Sequence, residues 1–231
     1  MLLAPSCVGC AELLEHPTRG PVCRRCWQSI LPLTAPLCDA CGDPLPTWRS
    51  LDLSASRCAR CRRADRYVDR ARSAGAYEGP LKSIIHALKY SGRRSLAAPL
   101  AALMRDRGSA VLAGADAIVP VPLHPSRRRE RGFNQADDLA RGLGLPIRQA
   151  LRRLRATPMQ ADLPASRRHA NIRGAFSLTH GPQDLRGATI VLIDDVSTTG
   201  ATLEACGRVL KEGGVREVRA LTAARVVTRR R

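Results

Sequence analysis

Three observations predict an α/β protein with a mostly parallel sheet flanked by helices, preceded by a small metal-stapled module. From Asp69 onward, short apolar runs alternate with segments of helical spacing, the pattern of repeated βα units. One run, "ATIVLIDDV" from Ala188, is almost continuously apolar, which suits a central parallel strand buried on both faces. Ahead of Asp69, eight of the nine cysteines fall in four C-x-x-C pairs. The expected division is residues 1–66 for the cysteine module and 67–231 for the α/β domain.

The cysteine pairs are Cys7/Cys10, Cys23/Cys26, Cys38/Cys41 and Cys58/Cys61. A two-residue spacer lets both sulfurs of a knuckle reach one Zn²⁺ at about 2.3 Å, and two knuckles complete a tetrahedral site. Twelve residues separate the first two pairs and sixteen the last two, gaps that suit short hairpins in zinc ribbons. Sequential pairing is simplest, and a cross-braced arrangement of first pair with third also satisfies the spacing. Redox use is disfavoured because four copies occur without a thioredoxin-like βαβ context. Both zincs are expected to be structural: every ligand is used, and a segment so poor in large apolar residues needs staples. Trp27 and Trp48 are expected against the knuckles, and the arginine-rich stretch 57–66 reads as a linker. Cys206 lies in a helical apolar pattern and reads as buried filler.

In chain order, "ARSAGAYEG" (71–79) predicts a strand running into a turn. "PLKSIIHALKYSG" (80–92) has helical spacing and begins on proline. "SLAAPLAALMRDRGSAVLA" (95–113) predicts a second helix, disturbed by Pro99. "AIVPVPL" (117–123) is a short buried strand and "NQADDLARGLG" (134–144) a helix ending on glycine. After the central strand, "TGATLEACGRVLKEGG" (199–214) is a helix closed by Gly213 and Gly214. "VREVRALTAARV" (215–226) alternates and predicts the last strand.

The formal charge is +18, but only three of the 38 basic residues are lysines, a bias a GC-rich genome would give. Eight thiolates on two Zn²⁺ ions would contribute −4. The remainder still favours polyanionic ligands, beside the plainer reading of a solvated arginine-rich surface. No run approaches eighteen apolar residues, so no membrane span is predicted. The opening "MLLAPSCVGCAELLEH" lacks a basic n-region and an apolar h-region, so a cytoplasmic location is expected.

Asp194 and Asp195 end the central strand, where α/β sheets place their binding crevice. The turn "STTGAT" then opens a helix, whose free N–H groups and dipole favour an anion. Hydroxyls of Ser197, Thr198, Thr199 and Thr202 add donors, and Gly200 permits close approach. A ligand with vicinal hydroxyls and a phosphate satisfies both halves: a ribose 5-phosphate.

The stretch "VLIDDVSTTGAT" (191–202) resembles the signature of type I phosphoribosyltransferases, which bind phosphoribosyl pyrophosphate (PRPP). With the cysteine knuckles, "YEGPLKSIIHALKYSG" (77–92), "VPVPLHPSRRRERGFNQADDLA" (119–140) and "RATPMQADLPASRRHANIRGAF" (155–176), the chain resembles the ComF (competence protein F) family over nearly its full length. The resemblance implies a type I phosphoribosyltransferase-like sheet in the α/β domain. It implies that Asp194 and Asp195 hold the ribose hydroxyls, directly or through Mg²⁺ waters. Thr198, Thr199, Gly200, Ala201 and Thr202 would cradle the 5-phosphate. A loop carrying Arg127, Arg128, Arg129 and Arg131 would meet the pyrophosphate. Arg155, Thr157, Gln160, Arg167 and Asn171 occupy the place of the loop that closes over the site. Lys89 and Tyr90 recur in the family pattern without a physical argument for a role, and His86 and His124 read as ordinary packing or turn residues.

Three functions follow as expectations. The first is transfer of phosphoribosyl from PRPP to an unidentified acceptor, with pyrophosphate released. The second, implied by the family, is binding of single-stranded nucleic acid in DNA uptake or repair, with competence-machinery partners. The third is a non-catalytic PRPP or nucleotide sensor. Scarce aromatics and an acid pair that repels a phosphate backbone favour a discrete ligand with Mg²⁺.

Overall fold

The computed structural model describes residues 5–45, 56–155, 174–179 and 185–227. Among the described residues six strands form, β1 (Arg70–Ala76), β2 (Ala117–Pro120), β3 (Leu151–Arg153), β4 (Phe176–Leu178), β5 (Thr189–Ser197) and β6 (Glu217–Arg225). Eight α-helices accompany them there: α1 (Arg24–Gln28), α2 (Ala59–Arg63), α3 (Gly79–Tyr90), α4 (Ala97–Arg107), α5 (Ser109–Leu112), α6 (Pro125–Arg131), α7 (Gln135–Arg141) and α8 (Ala201–Glu212).

The main sheet has the order β1-β6-β5-β2, every pair parallel. The apolar run of β5 therefore lies inside, as its composition requires. Its side chains alternate between two cores. Val191 and Ile193 pack with Leu81, Ile84, Leu88, Leu100 and Leu139 from α3, α4 and α7. Ile190 and Leu192 pack with Leu203, Cys206 and Leu210 of α8 and with Phe176 of β4. β3 and β4 pair antiparallel and span three residues each, too short to show an alternating pattern in the sequence. Burial pushes the Cys206 thiol well above its ordinary pKa.

Several local expectations are corrected. Pro99 does not disturb α4, because it falls in the first turn, where its missing N–H would have had no partner. The helix stops instead at Gly108, where a Cβ would sit 2.4 Å from the Leu221 side chain. The arginines after "IVPVPL" are on a helix, α6, rather than in a loop. His124 caps it by accepting from the Ser126 N–H, Pro125 opens it, and left-handed Gly132 closes it. The stretch 57–66 is not a simple linker, since it contains α2.

The cysteine module packs on the α/β domain. Cys7, Val22, Cys26 and Ile30 belong to the same core as α3 and α4, with Trp27 against it. Trp48 lies outside the described residues. Backbone of the cysteine module covers the open edge of β1: the Ala71 N–H donates to the Ala40 carbonyl at 2.7 Å, and that of Ala76 donates to the Leu31 carbonyl at 3.0 Å. Gly42 is required there, because its φ is +72° and a Cβ would lie 2.7 Å from the Ala71 carbonyl oxygen. An otherwise exposed sheet edge is thereby blocked.

Candidate functional site

The cysteines gather as two sets, Cys7/Cys10/Cys23/Cys26 and Cys38/Cys41/Cys58/Cys61, each with its sulfurs within 4.8 Å of one another. Pairing is therefore sequential, not cross-braced. Neighbouring sulfurs stand 3.9 Å apart for Cys10/Cys23 and 3.7 Å for Cys41/Cys58. A tetrahedron with about 2.3 Å Zn–S bonds has edges of about 3.8 Å, so the donor sets fit Zn²⁺. Backbone N–H groups of Gly9 and Cys23 donate to Cys7 Sγ, and that of Cys58 to Cys38 Sγ, each at 3.3 Å. Such donors stabilise thiolates. The two groups are structural zinc sites.

A separate cavity of about 750 Å³ opens at the carboxyl end of the sheet. Its origin is the unequal length of neighbouring strands. Pairing with β2 ends at Pro120 opposite Ile193, while pairing with β6 continues to Ser197. Beyond Ile193, β5 thus loses one neighbour, and the chain diverges after Val121, whose N–H donates to the Ile193 carbonyl at 2.9 Å. Asp194 and Asp195 lie on the unpaired flank and line the cavity with Thr198, Thr202, Arg127 and Arg131.

The two aspartates are not equivalent. Because successive strand residues face opposite sides, Asp195 points toward α3 and Asp194 toward α8. Asp195 is 3% exposed, and its Oδ2 meets Lys89 Nζ at 2.8 Å. Burial opposes the Lys89 ammonium, but Asp195 and then Asp194 outweigh it and hold the lysine above its ordinary pKa. Asp194 is half-buried and accepts the Asp195 N–H at 2.8 Å. Burial, reinforced by the Asp195 charge, pushes its pKa up to about 7, against the opposing pull of Lys89 and Arg153. Lys89 is thus an internal counter-ion for one carboxylate, leaving the other for a ligand or metal.

The turn after β5 passes through a left-handed glycine into the N-terminus of α8. Gly200 has φ +80° and no atom within 4 Å of where a Cβ would stand, so glycine is demanded by backbone geometry rather than by crowding. The 12-residue α8 begins at Ala201, whose N–H donates to Thr199 Oγ1 at 3.4 Å. Ser197 departs from expectation: it is buried, and its hydroxyl accepts from Arg225 Nη1 at 3.3 Å.

On α6, residues four apart share a face. Arg127 and Arg131 accordingly line the cavity, whereas Arg128 and Arg129 are exposed outside its lining. The Arg131 guanidinium stacks over Tyr90, 5.3 Å from the ring centroid. Tyr90 also packs on His86, and His124 serves as the α6 cap. Arg153, which the sequence did not single out, lines the cavity from β3. Burial first, then the Arg127 charge, lower its pKa, with Asp194 opposing. No periodic signal marks Arg153, since β3 spans three residues. Arg155 is exposed; Thr157, Gln160, Arg167 and Asn171 lie outside the described residues.

Among the described residues, no helix is long and apolar enough to cross a membrane. Residues 129–231 match the Phosphoribosyl transferase domain family and residues 1–62 the Double zinc ribbon domain family. The chain is 31% identical to Competence protein F of Haemophilus influenzae over 229 residues, covering 95% of this chain and 96% of that protein. It is 32% identical to the DNA utilization protein YhgH of Escherichia coli K12, covering 84% of this chain and 93% of that protein. Among solved structures, orotate phosphoribosyltransferase from Aeropyrum pernix is 20% identical over 63% of this chain and 64% of that one, with a TM-score of 0.33, a likeness too distant to carry an argument. The near full-length similarity, with the cysteine module and the sheet domain in the same order, establishes that the chain belongs to the competence protein F family.

Proposed function

We propose that the cavity binds a ribose 5-phosphate group, with PRPP and Mg²⁺ as the ligand that best matches its chemistry. The observation that carries this reading is one cavity flanked by a half-buried carboxylate, Asp194, and a left-handed turn into the N-terminus of α8. Thr198, Thr199, Gly200, Ala201 and Thr202 would hold the 5-phosphate through N–H and hydroxyl donors. Asp194 would accept from ribose hydroxyls or hold Mg²⁺ waters, with Asp195 setting its environment from the Lys89 pair. Arg127, Arg131 and Arg153 would receive the pyrophosphate, since guanidinium groups bind phosphate oxygens bidentately. Bound Mg²⁺ would neutralise the leaving pyrophosphate. If transfer occurs, a nucleophile forms a bond to ribose C1 as the C1–O bond to pyrophosphate breaks.

Calorimetric titration of PRPP with and without Mg²⁺ tests this. Binding should weaken by about 100-fold in an Asp194→Asn/Asp195→Asn protein, on the scale of two lost charge-assisted bonds. Absence of binding to the parent, or equal binding by the variant, overturns the site. Pyrophosphate release with candidate acceptors then separates a transferase from a sensor.

A second reading follows from the +18 charge and from relatives named for competence and DNA utilization: the protein binds single-stranded nucleic acid. Salt-dependent binding of a DNA oligonucleotide, unchanged by the paired asparagine substitutions, would favour it over the first.

A further inference from the structure

We propose that the second zinc ribbon positions the phosphate turn, through two arginines, Arg225 buried and Arg66 half-buried, that tie its metal cluster to both flanks of residues 197–202. Metal occupancy at Cys38/Cys41/Cys58/Cys61 and anion binding at the turn are then linked. The proposal rests on the reading of this turn as the phosphate-binding element.

The first tie reaches the strand side of the turn. Asp43 follows the Cys38/Cys41 knuckle, with its Oδ2 3.6 Å from Cys41 Sγ and 3.1 Å from Arg60 Nη2. Its other oxygen accepts from Arg225 Nε. Arg225 is only 2% exposed, and its Nη1 donates to Ser197 Oγ, while the Val226 N–H donates to the Ser197 carbonyl at 2.9 Å. Arg225 Nη2 has no hydrogen-bond partner among the described residues, so Asp43 supplies the charge that balances this guanidinium.

The second tie reaches the helix side. Arg66 Nη1 donates to Cys61 Sγ at 3.2 Å, and Arg66 Nη2 pairs with Glu204 Oε1 at 2.5 Å. Glu204 lies in the first turn of α8, and its Oε2 accepts the Tyr67 N–H at 2.8 Å. A planar guanidinium presents donors in a fixed fork, so each arginine holds two partners at a set separation and angle. The first cluster is placed differently: it packs on α3, with the Gly9 backbone against Pro80.

Loss of the second metal frees Cys41 and Cys61 and with them the segments that carry Asp43 and Arg66. A buried Arg225 without its carboxylate is costly, so Ser197 and the turn must rearrange. By linkage, the ligand then stabilises that metal site to the same degree. Asp43, Arg66, Glu204 and Arg225 are positioning residues, because their contacts act through the turn.

The test uses the full zinc-loaded chain and hydrogen exchange read by mass spectrometry over residues 197–204. An Asp43→Asn/Glu204→Gln protein retains all eight zinc ligands, and metal content is checked at two per chain. Exchange over 197–204 should rise by at least about tenfold with that over β2 unchanged, and Mg²⁺–PRPP affinity should fall by about tenfold, within the usual range of intersite coupling. Cys58→Ser, which opens the second cluster, should reproduce the local rise, whereas Cys10→Ser, which opens the first, should not. Unchanged exchange over 197–204 in the Asp43→Asn/Glu204→Gln protein overturns the proposal, as does an equal rise with Cys10→Ser. Should Cys58→Ser not fold, the zinc-retaining variant decides alone. Failure of the parent to bind PRPP would sink the ligand assignment, while the exchange result would still decide the coupling.

Discussion

Asp194 offers the most quantitative test, because its environment penalises the charge that the proposed ligand binding requires. Its pKa is raised from 3.8 to about 7 by burial and by Asp195. The folded protein therefore binds more protons than the unfolded chain between those values. Stability contributed by this group is present below pH 4, falls as pH rises toward 7, and is flat above. At 1.36 kcal/mol per pKa unit, the displacement corresponds to about 4 kcal/mol, and partial exposure of Asp194 to the cavity trims this to about 2–3 kcal/mol. Asp194→Asn preserves the size of the side chain and the oxygen that accepts from the Asp195 N–H. Unliganded Asp194→Asn protein should thus be more stable than the parent by about 2–3 kcal/mol at pH 8, with the difference vanishing near pH 4. Urea unfolding at a series of pH values measures it, and the parent–variant difference cancels pH effects on the zinc thiolates. A variant less stable than the parent at pH 8, or a pH-independent difference, would refute the electrostatic reasoning. Weaker ligand binding by a more stabilised protein would be the usual exchange of stability for function.

Two further outcomes follow from the same site. Lys89→Met leaves the Asp195 carboxylate buried without its counter-ion and should cost about 3 kcal/mol; addition of Asp195→Asn should recover most of it, and no recovery would show that the pair is not the cause. Gly200→Ala forces a side chain into φ +80° without a clash and should lower stability by about 1–2 kcal/mol. Gly200→Asn should cost less, and equal melting of the alanine variant and the parent would contradict the turn geometry.

Much of this arrangement was legible because the relevant signals are local. The run through Ile193 announces a strand buried on both faces, the acids and small residues after it mark the crevice, and the C-x-x-C spacing identifies zinc knuckles. The α6 arginines were visible as a charge cluster, but Pro125 and Gly132 make it a helix, and only helical phase separates Arg127 and Arg131 from Arg128 and Arg129. The knuckle pairing was open until two sets of sulfurs came within 4.8 Å.

By itself, then, the sequence determined the α/β architecture, the metal-binding knuckles and the position of the acid pair and turn. Periodicity, spacing and turn chemistry operate over a few residues and can be read in one dimension. Tertiary structure decided that Lys89 neutralises Asp195, that Arg153 enters the cavity, and that Arg225 joins Asp43 to Ser197. These charges come from elements far apart in the chain, and Coulomb energy depends on the distance and burial that packing sets. For that reason two adjacent aspartates, alike in sequence, have different electrostatic surroundings in the folded protein.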